Sequence, residues 1–279
     1  MLGRLRMDVQ ECIDTYLEMA DGVFSKVHHL PVNLRGRTHG RYNQDALREA
    51  IEHVVEDKGF SKDALLKDDD PYACKAFVCA KRFKSNALVT FTTFETTRVD
   101  RDLLNNATIV QACLATSAAP TYFEPMHMSL GPPGSQIKAD FIDGGMGYNN
   151  PIGVLWTQIA TVWPSSNVDC LVSLGTGKPV VPDYGTSAYD LGQRLLEIAT
   201  DSEDKADEFY EHHRRDLGRD RYFRFNVDRG LEHVDLGEAR QKDRIVEVTK
   251  IWLKNGRVFD EMEDCAKSLA SRECMSTFA

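Results

Sequence analysis

Apolar positions along the chain recur with helical spacing near the start and then gather into short continuous runs. From Asp8 onward, Val9, Ile13, Tyr16, Ala20, Phe24 and Val27 fall three or four residues apart. Glu11, three residues after Asp8, completes a capping-box pattern, so the spacing predicts a long amphipathic helix. A loop with Pro31 and Gly36 follows, and Asn43 then opens a second helix bearing Leu47, Ala50, Ile51, Val54 and Val55, stopped by Gly59. The run Lys75-Ala76-Phe77-Val78-Cys79-Ala80 has no polar alternation. That is the pattern of a strand buried on both faces, as in a parallel sheet covered by helices.

Further on, residues 87–94 read as a β-rich partner, 109–115 as a helix broken before Pro120, and 139–142 as a short strand. A helix is predicted from Asn150 with Pro151 at its first position, where the missing N–H costs nothing. A buried strand over 168–174 ends in Gly175-Thr176-Gly177. Ser187 and Asp190 cap a helix with Leu191, Leu195 and Ile198, and a charged helix places Ala206, Phe209, Tyr210 and His213 on one face. One more strand over 222–227 and helices near 238–254 and 257–273 complete the pattern. The segment Leu130-Gly131-Pro132-Pro133-Gly134-Ser135 reads as an exposed loop. Strands alternating with helices indicate an α/β layered domain.

Composition narrows the class. With 42% hydrophobic and 28% charged residues the chain is an ordinary globular protein. Its net charge of −9 and the absence of a basic stripe argue against nucleic acid as a partner. The basic clusters, such as His212-His213-Arg214-Arg215, are short enough to be solvated faces. Seven cysteines, odd in number, scattered and without C-x-x-C, fit a reducing compartment and the cytoplasm. No stretch approaches the roughly 18 apolar residues of a membrane span.

The chemistry-bearing candidate is Asp143, at the tip of the strand Ala139-Asp140-Phe141-Ile142 and followed by Gly144 and Gly145. A carboxylate at a strand end lies where α/β proteins bind substrates, and the glycines admit close backbone approach. Such a group can take a serine hydroxyl proton directly when the two are within hydrogen-bond reach. An Asp-Gly turn, or a cap ahead of the Asn150-Pro151 helix, is the alternative. No G-x-S-x-G elbow occurs in the 279 residues. Ser117 and Ser173 sit in apolar segments without flanking glycines and are rejected as nucleophiles. Gly175-Thr176-Gly177-Lys178 fails as a phosphate loop, because Val172 stands where the first glycine belongs and Pro179 where the hydroxyl belongs. His28-His29 and His212-His213 lack ligand spacing, and His127 reads as a polar loop residue. No metal or cofactor is expected.

Three ordered motifs carry a resemblance. They are Ala115-Thr116-Ser117-Ala118-Ala119-Pro120-Thr121-Tyr122-Phe123, then Phe141-Ile142-Asp143-Gly144-Gly145 with Asn149-Asn150-Pro151, then Val172-Ser173-Leu174-Gly175-Thr176-Gly177. Together they resemble the patatin-like phospholipase family, most closely its fungal members, whose block matching 222–227 is also similar. The resemblance runs from residue 1 to about 260. It implies a three-layer α/β/α fold with a mainly parallel central sheet, and a cytosolic lipid acyl hydrolase working by a Ser–Asp dyad on a lipid or membrane-surface ester. Asp143 matches the dyad aspartate and general base, with Gly144 and Gly145 completing its motif. Ser117 and Asn150 match positions read as structural.

In that family the oxyanion loop and the nucleophile elbow precede the matched region, and Met1-Leu2-Gly3-Arg4-Leu5-Arg6 looks like sequence just beyond the elbow serine. The expectation is a patatin-like domain over 1–260 lacking its N-terminal strands, with a helical tail over 261–279. Such a chain is inactive as it stands, and a longer parent carries appended domains. A non-catalytic interaction or regulatory module on the same scaffold is the alternative.

Overall fold

The computed structural model describes residues 1–25, 40–131, 136–178, 202–217, 221–232, 234 and 238–270. The chain divides into two compact units, Met1–Tyr148 and Asn149–Ala279. The α/β class expected from the alternation of elements holds.

The first unit opens with a short helix α1 (Leu2–Leu5) and then α2 (Val9–Val23). The capping box is formed: the Glu11 N–H donates to the Asp8 carboxylate, and the Asp8 N–H to Glu11. Helix α3 (Gln44–Asp57) starts at Asn43, whose side chain accepts from Asp45 N–H, and ends before Gly59 at φ +78°. Its Leu47, Ile51, Val54 and Val55 are buried as the spacing required. The apolar face of α2 divides instead. Val23 is buried and Met19 and Phe24 pack on the core, but Val9 and Tyr16 are 64% and 62% exposed. Val27, the loop with Pro31 and Gly36, and His28-His29 lie outside the described residues.

A four-stranded sheet has the order β2-β1-β4-β3, with β1 at Phe77–Arg82, β2 at Leu88–Thr92, β3 at Met126–Ser129 and β4 at Lys138–Asp143. Every pairing in it is antiparallel, which corrects the mainly parallel sheet expected. The apolar run correctly marked a strand buried on both faces: successive residues Cys79 and Ala80 are both buried. Burial does not fix direction. The link from β1 to β2 is a tight hairpin turn with Asn86 at φ +56°, and a connection that short joins only antiparallel neighbours. β3 was not foreseen, and His127, read as a loop residue, sits in it and contacts Asp140 across the ladder at 2.7 Å.

Helices α4 (Arg101–Asn106) and α5 (Ile109–Ser117) follow β2. Asp100 caps α4 and also binds Arg82 at 2.9 Å. Thr108 and Gln111 form a second capping box at α5, whose Val110, Ala112, Leu114 and Ala115 join the core. Phe91 and Phe141 meet edge-to-face at 5.2 Å in the middle of that core. Beside them, an apolar cavity of about 340 Å³ is walled by α1, α2, α3, α5 and the first half of β1. The first unit ends in a short turn of helix, α6 (Gly145–Tyr148).

The second unit begins with α7 (Ile152–Val162); Pro151 is its cap rather than its first residue. β5 (Leu171–Leu174) pairs in parallel with β6 (Tyr222–Phe225), and α8 (Ser202–Leu217) lies between them in sequence. Ile152, Leu171, Phe209 and Leu217 form its buried cluster. A 3-10 turn (Ala239–Gln241), α9 (Lys242–Leu253) and α10 (Gly256–Ala270) complete the described chain. The helix expected from Ser187 and most of the loop at 130–135 fall outside the described residues. Among those residues no helix is long and apolar enough to cross a membrane.

Phe141 is completely buried between Phe91 and α5. Phe141→Ala is expected to cost about 3–5 kcal/mol, read as a lower urea midpoint at unchanged m-value.

Candidate active site around Asp143

Asp143 is the last residue of β4, opposite Ala80 of β1. Its backbone N–H donates to the carbonyl of Ala118 at 2.9 Å, just past the end of α5. The chain then turns sharply. The N–H of Gly145 donates to Asp143 Oδ1 at 2.6 Å, which fixes the carboxylate over its own turn. The Gly144 carbonyl accepts from Tyr148 N–H at 2.9 Å, and Lys81 Nζ donates to Met146 O at 3.0 Å. Gly147 sits at φ +106°, a conformation costly for any side chain.

Gly144 is buried against β1. A β-carbon built on it would lie 2.5 Å from the carbonyl oxygen of Cys79 and 2.7 Å from the Cys79 β-carbon. The same carbonyl accepts from Thr116 Oγ1 at 2.7 Å, so α5 and the Asp143 turn both press on one peptide of β1. Thr116 is also part of the wall of the apolar cavity. By contrast, a β-carbon on Gly145 would meet nothing nearer than Asp143 Oδ1 at 3.2 Å.

The surroundings disfavour charge. Burial pushes the Asp143 carboxyl above the usual carboxylate range, and the Gly145 N–H only partly opposes this. The neighbouring Cys79 thiol is pushed up to about 11, first by burial and then by the Asp143 charge. Cys79 is therefore a protonated, inert packing residue at neutral pH.

The other sequence candidates have partners of their own. Ser117 ends α5 on the cavity wall. Ser173 is buried in the second unit, where its hydroxyl meets Asn150 Oδ1 at 3.3 Å and Arg224 at 2.9 Å. Asn150 is structural: Oδ1 accepts from Ile152 N–H at 3.3 Å, and Nδ2 donates to the Ser202 carbonyl at 3.1 Å. Gly175 and Gly177 fold around Asn226, whose Oδ1 accepts from Gly177 N–H at 2.6 Å. Sequence reasoning missed the group behind that loop, in which Arg224 and Asn226 both donate to Glu203 at 2.7 and 2.9 Å. Burial opposes the Glu203 charge, but those hydrogen bonds and the charges of Arg224 and Lys178 hold its carboxyl below the usual range. The alternation Arg224-Phe225-Asn226 beside a parallel strand was the available signal.

Two expectations follow. Gly144→Ala must displace β1 or the turn and is expected to cost about 1–3 kcal/mol in urea unfolding, with Gly145→Ala costing less. For Asp143 the folded pKa lies above the unfolded one. The stabilisation tied to its proton is thus complete below the ordinary carboxylate pKa and disappears as pH rises through the raised folded value. Asp143→Asn should accordingly melt above the wild type at neutral pH, and the difference should close on acidification.

The patatin-like phospholipase family model matches residues 2–156. Mouse calcium-independent phospholipase A2-gamma is 35% identical over 138 residues, covering 47% of this chain and 16% of that protein. The human protein of the same name is 25% identical over 248 residues, covering 87% of this chain and 30% of that protein. Phospholipase A I of Arabidopsis thaliana is 33% identical over 153 residues, covering 54% of this chain and 10% of that protein. The chain thus spans less than a third of the length of these relatives. A family match over more than half of the chain, spanning the strand and turn that carry Asp143, settles its membership: the chain belongs to the patatin-like phospholipase family.

Proposed function

We propose that this chain carries the base half of a lipid acyl hydrolase site, with Asp143 as general base. The observation that carries the reading is the clamped turn: a half-buried carboxylate at a strand end, oriented by Gly145 N–H and held by the packing of Gly144 on Cys79. In the reaction a serine hydroxyl loses its proton to the Asp143 carboxylate as its oxygen attacks the ester carbonyl. Backbone N–H groups stabilise the resulting oxyanion, and the alcohol leaves to give an acyl-serine that water hydrolyses. The 279 residues contain no G-x-S-x-G elbow, so that serine comes from outside them.

The substrate class follows from the family and from the cavity. Its lining of Leu, Ile, Val, Met and Phe side chains suits an acyl chain, and Thr116 belongs both to that wall and to the clamp beside Asp143. The relatives named phospholipases support a phospholipid or related ester at a membrane surface. The scattered, unpaired cysteines support a cytoplasmic setting.

The purified 279-residue chain should release no fatty acid from an activated ester above an Asp143→Asn control; turnover abolished by that substitution would overturn the claim that the nucleophile lies elsewhere. Where the transcript encodes an in-frame G-x-S-x-G before Met1, the extended chain should hydrolyse lipid esters. In it, Asp143→Asn should lower kcat about 10²–10⁴-fold. An extended chain indifferent to that substitution would sink the base assignment. An in-frame stop just before Met1, in a transcript that starts there, would favour the interaction module.

A further inference from the structure

Cys170 and Cys265 are 95 residues apart in sequence and meet in the second unit. Cys170 stands immediately before β5 and is partly exposed, whereas Cys265, on the inner side of α10, is 6% exposed. The Cys265 thiol and the Cys170 sulfur are close enough to interact. One helical turn on, Ser268 Oγ donates to the carbonyl of Asp169 at 3.3 Å. Residues three apart on α10 thus meet consecutive residues of the strand approach, and the Ser268–Asp169 bond holds the register that brings Cys265 beside Cys170.

The rest of α10 is lightly held. Cys265 is the residue of this helix that is buried, while Phe259 and Leu269 are 48% and 50% exposed. Among the described residues, α10 supplies nothing to the cluster of Ile152, Leu171, Phe209 and Leu217. A covalent bond at Cys265 would therefore act where the helix has little else to secure it.

We propose that Cys170 and Cys265 are an oxidisable dithiol that a low-molecular-weight disulfide closes into a bond, locking α10 onto the approach to β5. The steps balance. The Cys170 thiol gives its proton to solvent and its sulfur attacks one sulfur of a small disulfide such as oxidised glutathione, expelling one small thiolate and leaving a mixed disulfide. Cys265 gives its proton to solvent and attacks the Cys170 sulfur, and the second small thiolate leaves. Two protein thiols are oxidised, one small disulfide is reduced to two thiols, and the two expelled thiolates take up two protons.

Exposure sets the order, because the small disulfide reaches Cys170 first. In the resting pair the Cys265 thiol is pushed up to about 11, chiefly by burial, then by the neighbouring Cys170 sulfur, with Glu261 adding to this. Once Cys170 is in the mixed disulfide, its sulfur no longer opposes ionisation of Cys265. The obstacle to Cys265 is then burial and Glu261. Bond formation brings the two sulfurs to the ~2.05 Å of a disulfide.

The full 279-residue chain, equilibrated with oxidised and reduced glutathione and then alkylated, tests this by peptide mapping and amide hydrogen exchange. The expected product is a cross-linked Cys170–Cys265 peptide that dithiothreitol reverses, with exchange in α10 slowed about tenfold in the oxidised form. Cys170→Ser and Cys265→Ser should each abolish the cross-link, and substitution of the exposed Cys74 by Ser should preserve it. Glutathione retained on Cys170, a dominant cross-link through Cys74, or unchanged exchange in α10 would each overturn the proposal. If a substituted chain fails to fold, the wild-type map still decides.

Discussion

Gly144 packs so close to the Cys79 carbonyl that no β-carbon fits between them, and the geometry of Asp143 follows from that contact. The ladder between β1 and β4 runs only from Arg82–Phe141 to Ala80–Asp143. Beyond that register β4 has ended, and the turn takes over as the neighbour of β1. Gly144 lets the turn lie flat on the strand, Thr116 closes the carbonyl from the α5 side, and Ala118 accepts the Asp143 N–H. Three elements thereby converge on two peptides, and the carboxylate can do little but lie over Gly145. Preorganisation of this kind comes from packing and costs nothing at the moment of reaction.

The same packing makes Asp143 costly to ionise. A carboxylate half-withdrawn from water, with one good N–H partner, is raised in pKa, and a fold optimised for stability alone would place asparagine there. That tension between stability and charge is compatible with the base role proposed for Asp143, since a carboxylate too well solvated takes a proton poorly. The relatively inert Cys79 beside it shows that desolvation extends across the junction and is not a peculiarity of one side chain.

Much of this was legible in the sequence, for reasons specific to each element. The Asp8–Glu11 and Asn43 helix starts are local hydrogen-bond patterns, and local patterns survive into the fold. Burial of β1 was also legible, because a run without polar residues cannot face water; its direction was not, because direction is set by the length of the link to the next strand. The exposed Val9 and Tyr16 show the limit of periodicity, which identifies an apolar face without saying that anything covers it. β3 escaped notice because Met126-His127-Met128-Ser129 is too short for its alternation to stand out beside Pro125. At the candidate site the sequence supplied Asp143 and its glycines, but the clamp from Thr116 and Cys79 joins residues tens of positions apart and leaves no local trace.

The loop Gly175-Thr176-Gly177-Lys178 carries the same lesson into the second unit. Glycines after a parallel strand invite an anion, and a lysine beside them strengthens the invitation. The structure closes it. The Gly177 N–H is already donated to Asn226, and Asn226 is itself held by Glu203, whose carboxylate also takes Arg224 and, at 3.4 Å, Lys178. A phosphate entering there would meet a fixed negative charge and find its donors spent. Gly175 is glycine for a different reason: a β-carbon would fall 2.3 Å from Asn226 Oδ1. In both units, then, a glycine after a strand permits close approach, of Gly144 to the Cys79 peptide and of Gly175 to the Asn226 side chain. What separates them is charge balance. Glu203 is held charged by the cations and donors around it, whereas Asp143 sits in a setting that raises its proton affinity, which is the contrast that supports proposing Asp143 rather than Glu203 as a base.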